Sequence, residues 1–151
     1  MKKIILATAL FVALATASFA NGNEDYKKLF NDFTNAFKIA SNIQSPVRWL
    51  ATDNYKRATF LFKGEPVFAY FNPENDDLIG FSHPLAINDL PKEALLNIQK
   101  KYGDWIMKEA TMFLYADGRV NYYVSANKGG RNIVLAITTK GEVGIFPKMS
   151  F

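Results

Sequence analysis

Cysteine is absent from the 151-residue chain, and histidine occurs only once. The absence of thiols excludes disulfide bonds, thiolate metal sites, cysteine nucleophiles and the lipid-anchored signal of a lipoprotein. A zinc site would need more histidine or cysteine than the chain contains. We therefore expect neither a metal nor another cofactor, and the stability of the fold must come from packing alone.

The chain also has little net charge. Eighteen Lys and Arg stand against fourteen Asp and Glu. If the two lysines of the leader described below are removed, sixteen basic residues remain against fourteen acidic ones, a net charge of +2. The remaining basic pairs are scattered, at 27–28, 56–57 and 100–101. Because nucleic acids and anionic membranes select clustered basic residues, we expect neither as a partner.

Only residues 1–20 contain a long apolar run. The segment begins with two lysines after Met1, is apolar from 4 to 17 apart from two threonines, and ends in Ser-Phe-Ala. This pattern predicts a signal peptide that is cleaved after Ala20. An uncleaved anchor is the alternative, but the run is shorter than the roughly 20 residues of a spanning helix. We expect the mature chain, 21–151, to be exported, either periplasmic or secreted, with no stable membrane insertion.

In the first half of the mature chain, the spacing of apolar residues changes once, from a helical to an alternating pattern. Apolar residues spaced by three and four from Tyr26 to about Asn42 predict an amphipathic helix, which ends before Pro46. Alternating residues separated by turn signals then predict four strands, at 47–52, 55–63, 66–71 and 78–82. The connections are too short for crossover helices, so these strands should form an antiparallel meander.

The second half has the same order of elements. Asp89 is a plausible cap and Pro91 a tolerated first-turn residue for a helix that reaches Tyr102 and stops at Gly103. Four more strands are predicted, at about 105–115, 119–125, 132–138 and 142–147.

Helix followed by four strands therefore occurs twice, in residues 21–87 and 88–151, which predicts a tandem repeat within one compact domain. Trp49 and Trp105 each open the first strand after a helix, so we expect them at equivalent places in a shared core. One copy is too small to bury both its sheet and its helix. The predicted fold is α+β, with one curved eight-stranded sheet and both helices on one face.

Several short motifs carry a family resemblance. Leu90-Pro91 leads a short helix to Tyr102, followed by Trp105 and, later, by a Gly-Glu-Val turn at 141–143. With the matching pattern around Trp49, this resembles the bacterial PepSY-like, beta-lactamase-inhibitor-like (BLIP-like) secreted proteins. The resemblance implies a tandem α/β repeat with a curved sheet in an exported protein. It does not imply inhibition of a beta-lactamase, because no inhibitory loop can be matched, and the first helix lacks the Leu-Pro start.

No constellation of residues indicates catalysis. The single histidine, His83, lies at the end of a predicted strand next to a proline and is interpreted as a loop residue without a nucleophile. Glu74, Asp76 and Asp77 favour a solvated hairpin loop over a calcium or glycosidase site. The Gly-Gly-Arg sequence at 129–131 joins two strands, which favours a hairpin turn over a phosphate loop.

The sequence thus favours an exported non-enzymatic module that presents an open sheet face to an unknown protein or peptide, with an inhibitor-like role as one form of that function. A small periplasmic hydrolase, or a carbohydrate-binding protein using surface carboxylates and aromatics, is the alternative. Strand parity predicts the partner-binding residues, which should point away from the helices: Arg57, Tyr70, Phe113, Tyr115 and Tyr123. These aromatics could instead shield the sheet from water or pack against a second copy.

Overall fold

The computed structural model describes residues 22–42 and 47–147. The predicted signal peptide, its cleavage site and the segment 44–46 that is expected to stop the first helix lie outside the described residues. The helices are α1 (Gly22–Asn42) and α2 (Lys92–Tyr102). The strands are β1 (Arg48–Ala51), β2 (Lys56–Phe62), β3 (Glu65–Phe71), β4 (Leu78–Leu85), β5 (Ile106–Tyr115), β6 (Val120–Lys128), β7 (Arg131–Thr138) and β8 (Val143–Ile145).

The eight strands form one open sheet in chain order, and every neighbouring pair is antiparallel. In the middle, β4 pairs with β5 from Gly80 opposite Tyr115 to Leu85 opposite Ala110. The two halves of the chain are therefore joined by continuous backbone pairing. The α+β class and the antiparallel meander are confirmed, whereas the tandem repeat and the curvature of the sheet stay predictions.

Both helices pack on the same face of this sheet, which we call the helix face. Phe33 of α1 and Ala94 and Ile98 of α2 belong to one buried cluster with the inward residues of the strands. The Phe33 ring is 1% exposed and meets the rings of Phe62 and Phe81 at centroid distances of 5.1 and 5.8 Å. The opposite side of the sheet is called the outer face.

The second helix starts later than a cap at Asp89 would place it. Asp89 belongs to a 3-10 turn (Ile87–Asp89), and the N-cap of α2 is Pro91, without a side-chain hydrogen bond. Leu90 is extended, with φ −63° and ψ 155°. A residue that precedes proline is kept out of the helical region by the proline ring, so the helix begins only after Pro91. The prediction that Asp89 caps the helix is wrong for this reason.

The two tryptophans do not fill the shared core. Trp49 is 59% exposed, because β1 is an edge strand with one neighbour, and it packs against Phe37 and Phe71 at centroid distances of 6.2 and 5.6 Å. Trp105 is partly buried just before β5 and contacts Tyr102 at 6.5 Å. Each tryptophan contacts an aromatic side chain of the helix before it, but the expected core burial is wrong.

Two predicted loops have the expected form. Residues 72–77 join β3 to β4 as a hairpin loop in which Glu74, Asp76 and Asp77 are exposed. The Asp76 carboxylate accepts from the Lys56 ammonium at 2.6 Å. Between β6 and β7, Gly129 and Gly130 have φ values of 54° and 81°. Positive φ at both central residues is the geometry of a tight hairpin turn, which glycine adopts without strain.

Candidate functional site

The structure places all five predicted partner-binding residues on the outer face. Arg57 is paired with Tyr70, Tyr70 with Gly80, and Gly80 with Tyr115 across adjacent strands. Directly paired residues point to the same side of a sheet, and their chain neighbours, such as Ala58 and Ala69, are buried on the helix face. The same parity turns Phe113 and Tyr123 outward. Their role in binding a partner stays a prediction.

Aromatic side chains form a continuous row across the outer face. Tyr55 contacts Tyr70 at a centroid distance of 5.5 Å, Tyr70 contacts Phe113 at 5.4 Å, and Phe113 contacts Tyr115 at 4.5 Å. The hydroxyls of Tyr115 and Tyr123 share a hydrogen bond of 2.8 Å, and Tyr123 meets Phe146 at 5.3 Å. We call these residues the aromatic row: Tyr55, Tyr70, Phe113, Tyr115, Tyr123 and Phe146.

Sequence reasoning missed the two ends of the aromatic row. Tyr55 lies two residues before Arg57, so extending the parity of β2 backwards by one step would have included it. Phe146 follows β8, where its backbone N–H donates to the Val134 carbonyl at 2.7 Å. Parity counted from Gly144, which pairs with Ala136, would have found Phe146 as well.

The middle of the row is less accessible than the parity argument suggested. Tyr70 and Phe113 are each only 8% exposed. The Phe113 ring occupies the space above Gly80, where an added Cβ would lie 2.7 Å from Phe113 Cε1. The Phe113 ring is thus packed into the outer face, because glycine at position 80 leaves room for it. The expectation of Phe113 as an open anchor needs this correction.

Tyr115 of the row is partly buried. Burial raises the pKa of the Tyr115 phenol, and the hydrogen bond with Tyr123 raises it further. The guanidinium of Arg119 lies 4.6 Å from the centre of the Tyr115 ring. Near neutral pH, Tyr115 therefore offers an uncharged hydroxyl rather than a phenolate.

A cavity of about 370 Å³ lies beside the row, where β1, β2 and β3 meet the outer face. Its lining consists of two arginines and mostly apolar neighbours: Arg48, Trp49, Leu50, Arg57, Thr59, Pro66 and Phe68. The register brings these residues together, because Arg48 pairs with Thr59 and Leu50 with Arg57. We call this the arginine cavity.

The Arg57 side chain is held in place without an acceptor for its buried nitrogen. Its guanidinium lies 5.0 Å from the centre of the Phe68 ring, a cation–π distance. The Arg57 Nε is buried and has no hydrogen-bond partner. Within residues 22–42 and 47–147, no carboxylate lies within ion-pair distance of Arg48 or Arg57. The cavity therefore contains two positive charges that this part of the chain leaves unneutralised.

His83 lies inside β4 rather than in a loop, and the loop interpretation is wrong. The alternation of inward residues continues through Phe81, His83 and Leu85, so the strand runs three residues beyond its predicted end. The His83 side chain is 13% exposed, with Nε2 3.1 Å from a Glu65 carboxylate oxygen. Its ring centroid lies 5.7 Å from that of Phe33.

His83 does not form a catalytic pair with the neighbouring hydroxyl of Ser82. Burial lowers the pKa of His83, against the opposing effects of Glu65 and of the Pro66 carbonyl. The adjacent Ser82 faces the other side of the sheet, where it pairs with Phe113, since successive strand residues point to opposite faces. A serine nucleophile with its base would need both groups on one side.

Metal-binding groups and membrane-spanning helices are both absent from the described part of the chain. No group of three His, Asp or Glu side chains there is arranged to hold a metal ion. None of the described helices is long and apolar enough to cross a membrane.

No family model matches the chain, and no curated protein matches it at a significant level. Solved structures from Bacteroides do resemble it. A protein from Bacteroides eggerthii, whose name gives the periplasm as its expected location, is 15% identical, with a TM-score of 0.61 over 75% of this chain and 84% of its own. A DUF2874 family protein from Bacteroides uniformis is 16% identical, with a TM-score of 0.61 over 74% of this chain and 83% of its own.

A BLIP-like protein from Bacteroides fragilis is also similar. It is 17% identical, with a TM-score of 0.57 over 78% of this chain and 83% of its own. At such identities the likeness shows the fold alone, and the fold of this chain is similar to that of the BLIP-like protein. The PepSY-like part of the resemblance stays a prediction.

Proposed function

We propose that the mature chain is an exported, non-enzymatic binding module that presents its outer face to a protein or peptide partner. The observation that carries this proposal is the aromatic row on the face that neither helix covers. The open face of an antiparallel sheet usually meets water with polar side chains. Aromatic and arginine side chains are instead the types that contribute most binding energy at protein interfaces.

The location and the architecture of the module belong to the same proposal. Residues 1–20 would be removed after Ala20, and the two halves, 21–87 and 88–151, would be copies of one α/β unit. The periplasmic name of the Bacteroides eggerthii protein supports export, and the BLIP-like name supports an inhibitor-like mode of binding. Mass spectrometry of the exported protein should find Asn21 as its first residue; an intact residue 1–20 segment would contradict export with cleavage.

A pair of equally exposed leucines allows a direct test of the face. Leu61 on the outer face and Leu96 on α2 are both 68% exposed. A photo-crosslinking amino acid placed at either position should leave the fold intact, because neither side chain is packed. In the producing bacterium, we expect a specific crosslinked product from position 61 and none from position 96. Equal crosslinking from both positions, or a product that contains only a second copy of this chain, would contradict the proposal.

A further inference from the structure

The arginine cavity points to a particular chemistry of the partner. We propose that it is a carboxylate-binding subsite, which receives a Glu or Asp side chain of an acidic peptide segment. This inference rests on the proposed function, since it names the class of partner that the outer face would take. The cavity adjoins the aromatic row, because Arg57 is paired directly with Tyr70.

The first argument is charge complementarity. Arg48 and Arg57 both line the cavity, and neither has a carboxylate partner within the described ranges. Many other basic residues of the described ranges also lack an ion-pair partner, but they do not line a common cavity. Arg48 and Arg57 do line one, so two positive charges face the same space without a compensating carboxylate.

The second argument is the buried Arg57 Nε, which lacks an acceptor. Buried donors are nearly always hydrogen-bonded in proteins, and an exception needs an explanation. A carboxylate that enters the cavity can accept from the terminal guanidinium nitrogens of Arg57, and its negative charge would also stabilise the enclosed Nε–H. Phe68 already holds the guanidinium by stacking, so little conformational freedom would be lost on binding.

The size and walls of the cavity select the ligand further. A volume of about 370 Å³ is near the lower end of the range for small-molecule sites. It fits one acidic side chain rather than a large cofactor. Leu50, Pro66 and Phe68 supply apolar walls on the outer face, and a bound partner that covers them would strengthen a charge–charge contact by excluding water. The phosphates of a nucleic acid would need several further basic residues beside the cavity. The surface beside the cavity is the aromatic row instead, which favours a peptide.

The test uses the mature protein and a defined probe, N-acetyl-glutamic acid α-amide, observed by NMR at the arginine Nε–H resonances. We expect a saturable shift of the Arg57 Nε–H resonance with an affinity in about the millimolar range, which one small contact provides. The neutral analogue N-acetyl-glutamine amide should give no saturable shift. Absence of a shift with the glutamate probe, equal shifts with both probes, or tighter binding of inorganic phosphate would each overturn the proposal.

A second measurement separates this inference from the proposed function. Arg48 is exposed, so Arg48→Gln should fold normally, and Arg57→Gln tests the half-buried member of the pair. Each should lower the crosslink yield from position 61 by about tenfold. Arg131→Gln is the matched control, because Arg131 also lies against an aromatic ring, that of Trp105, but outside the cavity. Crosslinking that survives both cavity variants would refute the carboxylate subsite while leaving the binding module in place.

Discussion

At the scale of single residues, His83 couples the stability of the fold to pH. Burial lowers its pKa below the ordinary value of 6.5, so the unfolded chain takes up a proton at a higher pH than the folded chain. The free energy of unfolding should therefore be highest above about pH 6.5 and should decrease as the pH falls from there toward the folded pKa. His83→Gln removes this titrating group and should flatten the profile.

Denaturant titrations at about pH 7.5 and about pH 5.5 measure the effect, since both values lie in the range where histidine changes charge. The wild-type protein should lose more stability between these two conditions than the His83→Gln variant. An equal loss in both proteins would mean that groups other than His83 set the pH dependence in this range.

A second residue-scale contact ties α1 to the second half of the sheet. The hydroxyls of Tyr26 and Tyr122 share a hydrogen bond of 2.6 Å, although the residues are 96 positions apart. Tyr122 is fully buried, so Tyr26→Phe leaves its hydroxyl without this partner and should cost about 1 to 3 kcal/mol. In a double-mutant cycle with Tyr122→Phe, the two changes together should cost less than the sum of the single changes. Additive costs would show that the hydroxyls do not interact.

At the scale of elements, the turn between β7 and β8 is fitted against the start of α2. Gly141 has φ 83°, and an added Cβ would lie 2.7 Å from the Ala94 nitrogen and 2.5 Å from the Glu93 Cβ. Its carbonyl accepts a hydrogen bond of 2.9 Å from the Asn97 side-chain amide. This glycine is therefore required both by the backbone conformation and by the approach of the helix.

Gly118 is a control for the backbone requirement alone. Its φ of 89° is similar, but nothing lies within 4 Å of an added Cβ. Gly118→Ala should cost about 1 kcal/mol from backbone strain alone. Gly141→Ala should cost about 1 to 3 kcal/mol more, since helix and turn must also move apart. Urea unfolding of both variants gives the comparison. Equal costs would mean that the turn does not pack against α2 as described.

The helices and strands were largely predictable from the sequence, because the spacing of apolar residues is clear in both halves. Errors arose where a local signal competed with a longer-range one. Pro84 suggested the end of β4, yet Pro84 pairs with Thr111 and the strand continues to Leu85. Trp49 looked like a core residue by its size, but the position of β1 at the edge of the sheet decides its exposure. The order of strands in a sheet depends on tertiary structure, so the spacing of apolar residues does not predict which strand lies at the edge.

The candidate site was less predictable than the fold. Strand parity correctly predicted the face of the sheet for Arg57, Tyr70, Phe113, Tyr115 and Tyr123. It did not predict how exposed each side chain is. The burial of Phe113 depends on Gly80 lying opposite, which requires the register between β4 and β5. The arginine cavity depends on the registers of β1, β2 and β3 together. Neither register can be read from spacing within one strand.

At the scale of the whole molecule, the continuous sheet makes the two halves depend on each other. The β4–β5 pairing buries Phe81 beside Leu114, and each comes from a different half. The Tyr26 to Tyr122 contact joins the first helix to the second half as well. Separation of the halves would expose these apolar surfaces together with two unpaired strand edges. A unit of about 60 residues buries too little surface to compensate readily for such a loss.

We therefore expect residues 21–87 and 88–151, expressed separately, to lack cooperative unfolding and to give poorly dispersed NMR spectra. Mixing the two should restore a dispersed spectrum, because the missing strand edge of each half is supplied by the other. A chain of residues 21–151 is the reference for both measurements. If either half alone unfolds cooperatively, then the packing between the halves is not what stabilises them. Each unit would then be an independent domain, and the shared core would only join two folds that already exist.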